Sequence, residues 1–312
     1  MKFFKYPLNM KNASKSLDAE VISVFIYSKL TEELLSHFSN LKFIATRSTG
    51  FDHIDLDTCV KNQILVSNVP YYGENTIAEH TFGLILALSR NIHKSYIRTT
   101  RNDFSIEGLK GFDLKKKTLG VVGAGRIGLH VIRVAKAFGM DVLAYDVKKD
   151  QFLADVLGFT YVSLEDLLAQ SDIISLHVPY NTHTHHLINK DNIRLIKKGA
   201  ILINTARGGI VDTEALLEAL DQGILSGAGL DVLEGEELIL EDKRMVYDPS
   251  DLETMTNLVK DHILLSKDNV VFTPHIAFYS QEALERIIDT TIENIAAFCL
   301  GSKLNVVKFS TT

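Results

Sequence analysis

A guanidinium, a carboxylate and an imidazole stand in three separate segments of this chain: Arg207 in LINTARGG (202–209), Glu236 in GLDVLEGEE (229–237) and His275 in VFTPHIA (271–277). In each segment an apolar, strand-like run delivers one polar residue at or just past its C-terminal end, which is where open parallel sheets place ligands. Such a trio is equipped for reversible reduction of a 2-oxo acid. The cation holds the substrate, the imidazole moves a proton, and the carboxylate supports the protonated imidazole. Taken singly, each residue has an ordinary explanation, a salt-bridged surface arginine or a hydrogen-bonded histidine in a Thr-Pro-His turn. The combination with a cofactor motif is what gives the set chemical meaning.

That motif begins at Leu119. The run LGVVGAGRIGLHVIRVAKAFG gives a short apolar strand, then Gly123, Gly125 and Gly128 in G-x-G-x-x-G spacing, then apolar residues at helical intervals through Phe138. Gly123 permits the tight turn, Gly125 lets the backbone approach a pyrophosphate, and Gly128 allows close packing of helix on strand. Arg126 and Ile127 open the helix, whose first-turn N–H groups would hold the phosphates. A second strand, DVLAYD, ends at Asp146, where an acid can bond a ribose 2′-OH. The expected cofactor is NAD, because a 2′-phosphate would be repelled by Asp146; Lys148 and Lys149 leave a small opening for dual use.

Composition is compatible with this chemistry. At 312 residues and 46% hydrophobic content the chain is long enough for about two domains. A net charge of −6 without a basic tract argues against a nucleic-acid partner. The two cysteines, Cys59 and Cys299, match no metal or redox spacing and read as reduced packing residues. No signal peptide and no membrane-spanning run is visible, so a cytoplasmic protein is expected. His183, His185 and His186 in NTHTHHLIN suggest a metal cluster, but no Cys or carboxylate pattern accompanies them, and a polar loop accounts for them better. No metal site is expected.

Strand-like and helix-like segments alternate, the pattern of an α/β fold with parallel sheets. Strands are expected at 21–27, 41–48, 63–69, 118–123, 141–146, 172–178, 200–206, 227–233 and 269–275, with amphipathic helices at 163–170 and 212–223. A long helical pattern from Glu74 to Arg101 leads into the nucleotide-binding part, and a last helix from Ser280 to Leu300 carries the chain back. The expected architecture is two Rossmann-like domains with the active site in the cleft between them. One is a discontinuous substrate domain, 1–92 plus 281–312, and the other an NAD-binding domain, 93–280. The segment EELILEDKR (236–244) reads as a solvated stretch in an insertion running to about Lys267.

The chain resembles the NAD-dependent D-2-hydroxyacid dehydrogenases, and within them is most similar to the D-lactate dehydrogenases. The resemblance is carried by ATRSTGFDHIDL (45–56), VPYYGENTIAEHTFGLILALSR (69–90), GVVGAGRIG (120–128), INTARGGIVDTEAL (203–216), GLDVLEGEE (229–237) and TPHIAFYSQEA (273–283). It implies a homodimer acting on a small 2-oxo or 2-hydroxy acid. Arg207 would bind the substrate carboxylate and carbonyl, His275 would be the acid/base and Glu236 its partner, five residues after Asp231; the proline usual after that acid is replaced by Glu237. By the same matching, Thr49 and Gly50 would offer backbone N–H groups to the carboxylate, and Tyr72 and Phe278 would line the side-chain pocket. Asp231 would sit near the nicotinamide, with Val178, Pro179, Thr205 and Ala206 along the adenosine and ribose.

Phe278 and Tyr279 beside the histidine favour a compact apolar pocket, and hence pyruvate. Glyoxylate, hydroxypyruvate and 3-phosphoglycerate are the other substrate types, and an NAD(H)-binding sensor or corepressor with little catalysis is the alternative function. The resemblance also places an extra strand and helix before DAEVISVF (18–25), whereas only 17 residues precede Asp18. These can supply one short strand, KFFKY, so either the domain is naturally reduced or the chain is a truncated version of a longer protein, and the first domain is expected to lack its usual opening strand–helix unit and to have fewer strands than the nucleotide domain. Apolar sheet surface exposed by that loss could be covered by a partner subunit.

Overall fold

The structure is a computed structural model that describes residues 2–234 and 252–308, with the side chains of all of these except 252–258. The chain divides into two compact units, Met1–Tyr72 with Tyr279–Thr312, and Gly73–Phe278. Both are parallel α/β units. The first boundary falls before the one expected after residue 92, because the helix that starts at Glu74 belongs with the second unit.

The first unit is built on a three-stranded parallel sheet, β1 (Val21–Val24), β2 (Phe43–Thr46) and β3 (Leu65–Ser67), in the order β1-β2-β3. Every residue of β2 is buried, as expected of a central strand covered on both faces. Helices α1 (Glu32–Ser36) and α2 (Leu56–Lys61) start at Thr31 and Asp55, whose side chains accept the Leu34 and Thr58 N–H groups. No strand forms at KFFKY, and this unit has three strands against seven in the other among the described residues.

In the second unit, α3 (Glu74–Ser89) and α4 (Ile92–Thr99) replace the single long helix expected to Arg101. The break falls at Asn91, which adopts a left-handed backbone with φ 51°. Next come β4 (Thr118–Val122), α5 (Arg126–Ala137), β5 (Asp141–Tyr145), α6 (Gln151–Leu157), β6 (Thr160–Tyr161), α7 (Leu164–Gln170), β7 (Ile173–Leu176) and β8 (Ala200–Asn204). The series closes with α8 (Thr213–Asp221), β9 (Leu225–Leu230), α9 (Leu252–Leu265) and β10 (Val270–Phe272). Helix α9 lies in the expected insertion that runs to about Lys267, and the stretch 236–244 expected to be solvated lies outside the described residues. The last helix of the chain, α10 (Gln281–Cys299), returns to the first unit, where Phe298 stacks on Phe43 with ring centroids 4.5 Å apart.

The seven strands run in the order β10-β9-β8-β7-β4-β5-β6, and every pair is parallel. Strands β7 and β8 are buried along their whole length, and IISL and AILIN are accordingly apolar except for the buried Ser175 and Asn204. The strand order reverses at β4, between β7 and β5. A parallel sheet with such a reversal opens a crevice at the carboxyl ends of its strands, and that is where its ligand is expected. Among the described residues no helix is long and apolar enough to cross a membrane.

Candidate active site

The carboxyl end of β4 runs straight into the glycine loop. Gly123 has φ +98°, and a Cβ there would stand 2.8 Å from the His177 carbonyl carbon and oxygen and 2.9 Å from Val178 N. Only glycine lets the β4 turn approach the β7 turn this closely. A Cβ at Gly128 would collide with the Gly123 carbonyl oxygen, so α5 can lie this close to the loop only without one. Around Gly125, by contrast, there is no atom within 4 Å of a Cβ position. Gly125 is also the N-cap of α5, with no side chain to satisfy the first-turn N–H groups, and that turn carries no acidic residue. An unfilled space facing uncapped N–H groups at a helix N-terminus fits a dinucleotide pyrophosphate. Arg126, at the start of the helix, lies 3.8 Å from Glu74.

Asp146 sits just past β5. Its Oδ2 accepts the Ala124 N–H at 2.8 Å and its Oδ1 the Lys148 N–H at 2.8 Å. The carboxylate is thereby fixed against the glycine loop, and each oxygen keeps a second lone pair for ribose hydroxyls. Val178 is half-buried and Pro179 exposed. The Pro179 carbonyl accepts the Thr184 hydroxyl at 2.6 Å.

At the end of β8 the turn 204–207 is tied by one side chain. Asn204, 1% exposed, accepts the Ala206 N–H at 3.0 Å and donates to the Arg207 carbonyl at 2.9 Å. Thr205 is buried, 3.0 Å from the Thr81 hydroxyl on α3. Arg207 leaves this turn half-buried, its Nη1 donating to the Ala206 carbonyl at 2.8 Å.

The ends of β9 and β10 meet at Asp231, which is 1% exposed. Its Oδ1 accepts the Thr273 hydroxyl at 2.5 Å and the Ile276 N–H at 3.0 Å, and its Oδ2 the Ala277 N–H at 2.8 Å. His80 on α3 closes the group, with Nε2 2.9 Å from Thr273 Oγ1 and 3.4 Å from Asp231 Oδ1. Within this cage His275 takes a left-handed backbone, φ 53°, sterically costly for a residue with a side chain. Phe278 sets its ring nearly perpendicular to the imidazole, centroids 6.4 Å apart.

The second unit therefore brings the glycine loop, Asp146, Val178, Thr205, Ala206, Arg207, Asp231, His275 and Phe278 to the carboxyl ends of one parallel sheet. Thr49, Gly50 and Tyr72 belong to the first unit. There the Thr49 hydroxyl donates to the Val69 carbonyl at 2.8 Å, the Gly50 carbonyl accepts the Ser48 hydroxyl at 2.6 Å, and the Tyr72 carbonyl accepts Arg286 Nε at 2.8 Å. Glu236 lies outside the described residues. Asn204, Thr273 and His80 were not anticipated from the sequence. Asn204 alone left a signal there, as the polar residue closing an otherwise apolar strand.

Residues 82–277 match the family described as D-isomer specific 2-hydroxyacid dehydrogenase, NAD binding domain. A 2-hydroxyacid dehydrogenase homolog of Haemophilus influenzae is 38% identical over 301 residues, 95% of this chain and 87% of that protein. The D-lactate dehydrogenase of Escherichia coli is 36% identical over 304 residues, 95% of this chain and 88% of that protein. Among solved structures, D-lactate dehydrogenase from Aquifex aeolicus, complexed with NAD and lactic acid, superposes with a TM-score of 0.84 at 46% identity, covering 95% of this chain and 86% of that one.

Proposed function

The chain belongs to the D-isomer-specific 2-hydroxyacid dehydrogenases, NAD-dependent oxidoreductases of α/β fold, and within that family we propose that it interconverts pyruvate and D-lactate. The observation that carries this reading is the cage around Asp231, which holds the segment bearing His275 rigid with Phe278 edge-on to the imidazole. A histidine so fixed can exchange a proton with one defined oxygen, and the aromatic edge keeps the surroundings small and apolar. The Aquifex aeolicus structure with NAD and lactic acid adds support.

Bound NADH supplies the hydride. Arg207 offers the fork of donors that a planar carboxylate accepts in bidentate fashion. His275 gives its proton to the carbonyl oxygen as negative charge builds there, and takes it back in the reverse direction. Glu236 is proposed to stabilise the protonated imidazole, and Thr49 and Gly50 to bind the substrate carboxylate, with Tyr72 bounding the methyl side. Gly123 to Gly128 hold the pyrophosphate, Asp146 the ribose. Val178, Pro179, Thr205, Ala206 and Asp231 are proposed to line the rest of the cofactor.

We also propose a cytoplasmic homodimer. Helix α4 buries none of its residues, and Ile92, Tyr96 and Ile97 on it, with Phe104 and Ile106 just beyond, are 47–86% exposed. That much apolar surface in one stretch is what a partner subunit covers. Steady-state NADH oxidation against pyruvate, glyoxylate, hydroxypyruvate and branched 2-oxo acids tests the substrate. Preference for pyruvate, abolished in His275→Ala, is the expected result. A bulky 2-oxo acid turned over far better would overturn it, and saturable NADH binding with no turnover would point to a sensor.

A further inference from the structure

The loop after β7 presents His185 and His186, and the fold places Glu234, just beyond β9, beside them. One ligand atom from each of the three lies within 4.8 Å of the others. The sequence lacked a carboxylate to go with these histidines; the parallel sheet supplies one from 48 residues away. We propose that His185, His186 and Glu234 form a binding site for a divalent transition metal of the zinc type.

The two imidazoles stack, 24° apart with centroids 3.9 Å from each other, and a metal lying in the plane of both rings is reached when the exposed His185 ring turns about its side-chain bonds. Each ligand has an outer partner that orients it. The Tyr180 hydroxyl meets His185 Nδ1 at 3.1 Å, leaving Nε2 as the ligand atom, and the Thr213 hydroxyl donates to Glu234 Oε2 at 3.1 Å, leaving Oε1 as the other. Such outer contacts fix tautomer and ring orientation in metal sites. His186 is held by its own backbone, a left-handed conformation with φ 48° and an N–H donated to the Gly209 carbonyl at 2.8 Å. His183, in the same loop, is not one of the three.

His186 Nε2 and Glu234 Oε1 are 2.6 Å apart. Two ligands at tetrahedral angles on zinc, each about 2.0–2.1 Å from it, stand roughly 3.3 Å apart. The metal would therefore enter after a small opening of the pair, with water as fourth ligand. Two imidazoles and one carboxylate leaving one open position is a donor set that suits zinc, cobalt and nickel and disfavours magnesium or calcium.

The test is calorimetric titration of the untagged, cofactor-free protein with Zn²⁺, with Co²⁺ absorption as a geometric readout. One equivalent should bind, with the intense visible bands of four-coordinate cobalt. His185→Ala removes an exposed ligand with little risk to folding, and Glu234→Gln keeps the shape of the side chain. Each should weaken binding about tenfold or more, with an unfolding transition near that of the parent. Absence of saturable binding overturns the proposal, as does affinity unchanged in both variants. The readout is metal binding and does not depend on which 2-oxo acid the enzyme reduces.

Discussion

The backbone N–H of His275 donates to the carbonyl oxygen of Asp231 at 2.8 Å, while the carboxylate of that aspartate holds the two residues that follow the histidine. One buried acid thus fixes the imidazole by main-chain bonds on both sides. Asp231→Asn replaces one acceptor oxygen by an NH₂ group facing an N–H or a hydroxyl. Loss of a buried hydrogen bond of this kind costs about 1–3 kcal/mol. The variant should unfold earlier and show kcat lowered at least about tenfold, with KM for the 2-oxo acid changed less. Unaltered kcat in steady-state assays would contradict the positioning of His275 by Asp231.

The proposed division of substrate binding to Arg207 and proton transfer to His275 means that their variants should differ in kind. His275→Ala is expected to lower turnover chiefly, and Arg207→Lys to raise KM chiefly, since an ammonium cannot reproduce a bidentate contact. Full Michaelis curves for the two variants check this. The reverse pattern would exchange the roles.

The glycine loop separates a stability effect from a cofactor effect. Gly125→Ala meets no atom within 4 Å, so the cofactor-free protein should keep its melting temperature while NADH affinity falls about tenfold or more. Gly128→Ala would drive a methyl group into the Gly123 carbonyl and should cost about 1–3 kcal/mol of stability before any cofactor is added. Thermal melts with and without NADH distinguish the two.

Burial pushes the His177 imidazole down to about 3, and the ring is bonded to the Ser175 hydroxyl at 2.8 Å. The unfolded chain binds a proton there near pH 6.5, which the folded chain accepts only near pH 3. The contribution to stability is therefore full above pH 6.5 and is lost progressively as pH falls from 6.5 toward 3, at no more than about 1.4 kcal/mol per pH unit for one proton. Denaturant unfolding at several pH values should show a shallower acid slope in His177→Asn than in the parent. Equal slopes would mean that His177 is not the group responsible.

The two thiols should behave oppositely. Desolvation, with Asp55 nearby, raises the Cys59 thiol to about 12, whereas Cys299 is exposed. Native protein should react with one equivalent of a thiol reagent, at Cys299, and denatured protein with two. Rapid labelling of Cys59 in the native state would show that α2 opens readily.

The parallel sheets and the glycine loop were legible because long buried strands and a G-x-G-x-x-G turn leave continuous local patterns. The short edge strand β6 was not, having only Thr160 and Tyr161 to show. The helical period from Glu74 concealed a break made by the backbone of Asn91, which an apolar pattern does not record. His80 escaped notice for a different reason. Its partner Thr273 is 193 residues away, and nothing in AEHTF announces a hydrogen bond across the fold.

Gly208 has no room for a side chain, since a Cβ would run into the carbonyl of Leu233 and the N–H of Glu234. The turn that begins at Arg207 is therefore keyed to the chain that emerges from β9. A mutation at this one glycine would disturb the cation and the start of the acidic segment together, whatever the substrate. A lineage drifting toward a new 2-oxo acid has to leave residue 208 untouched.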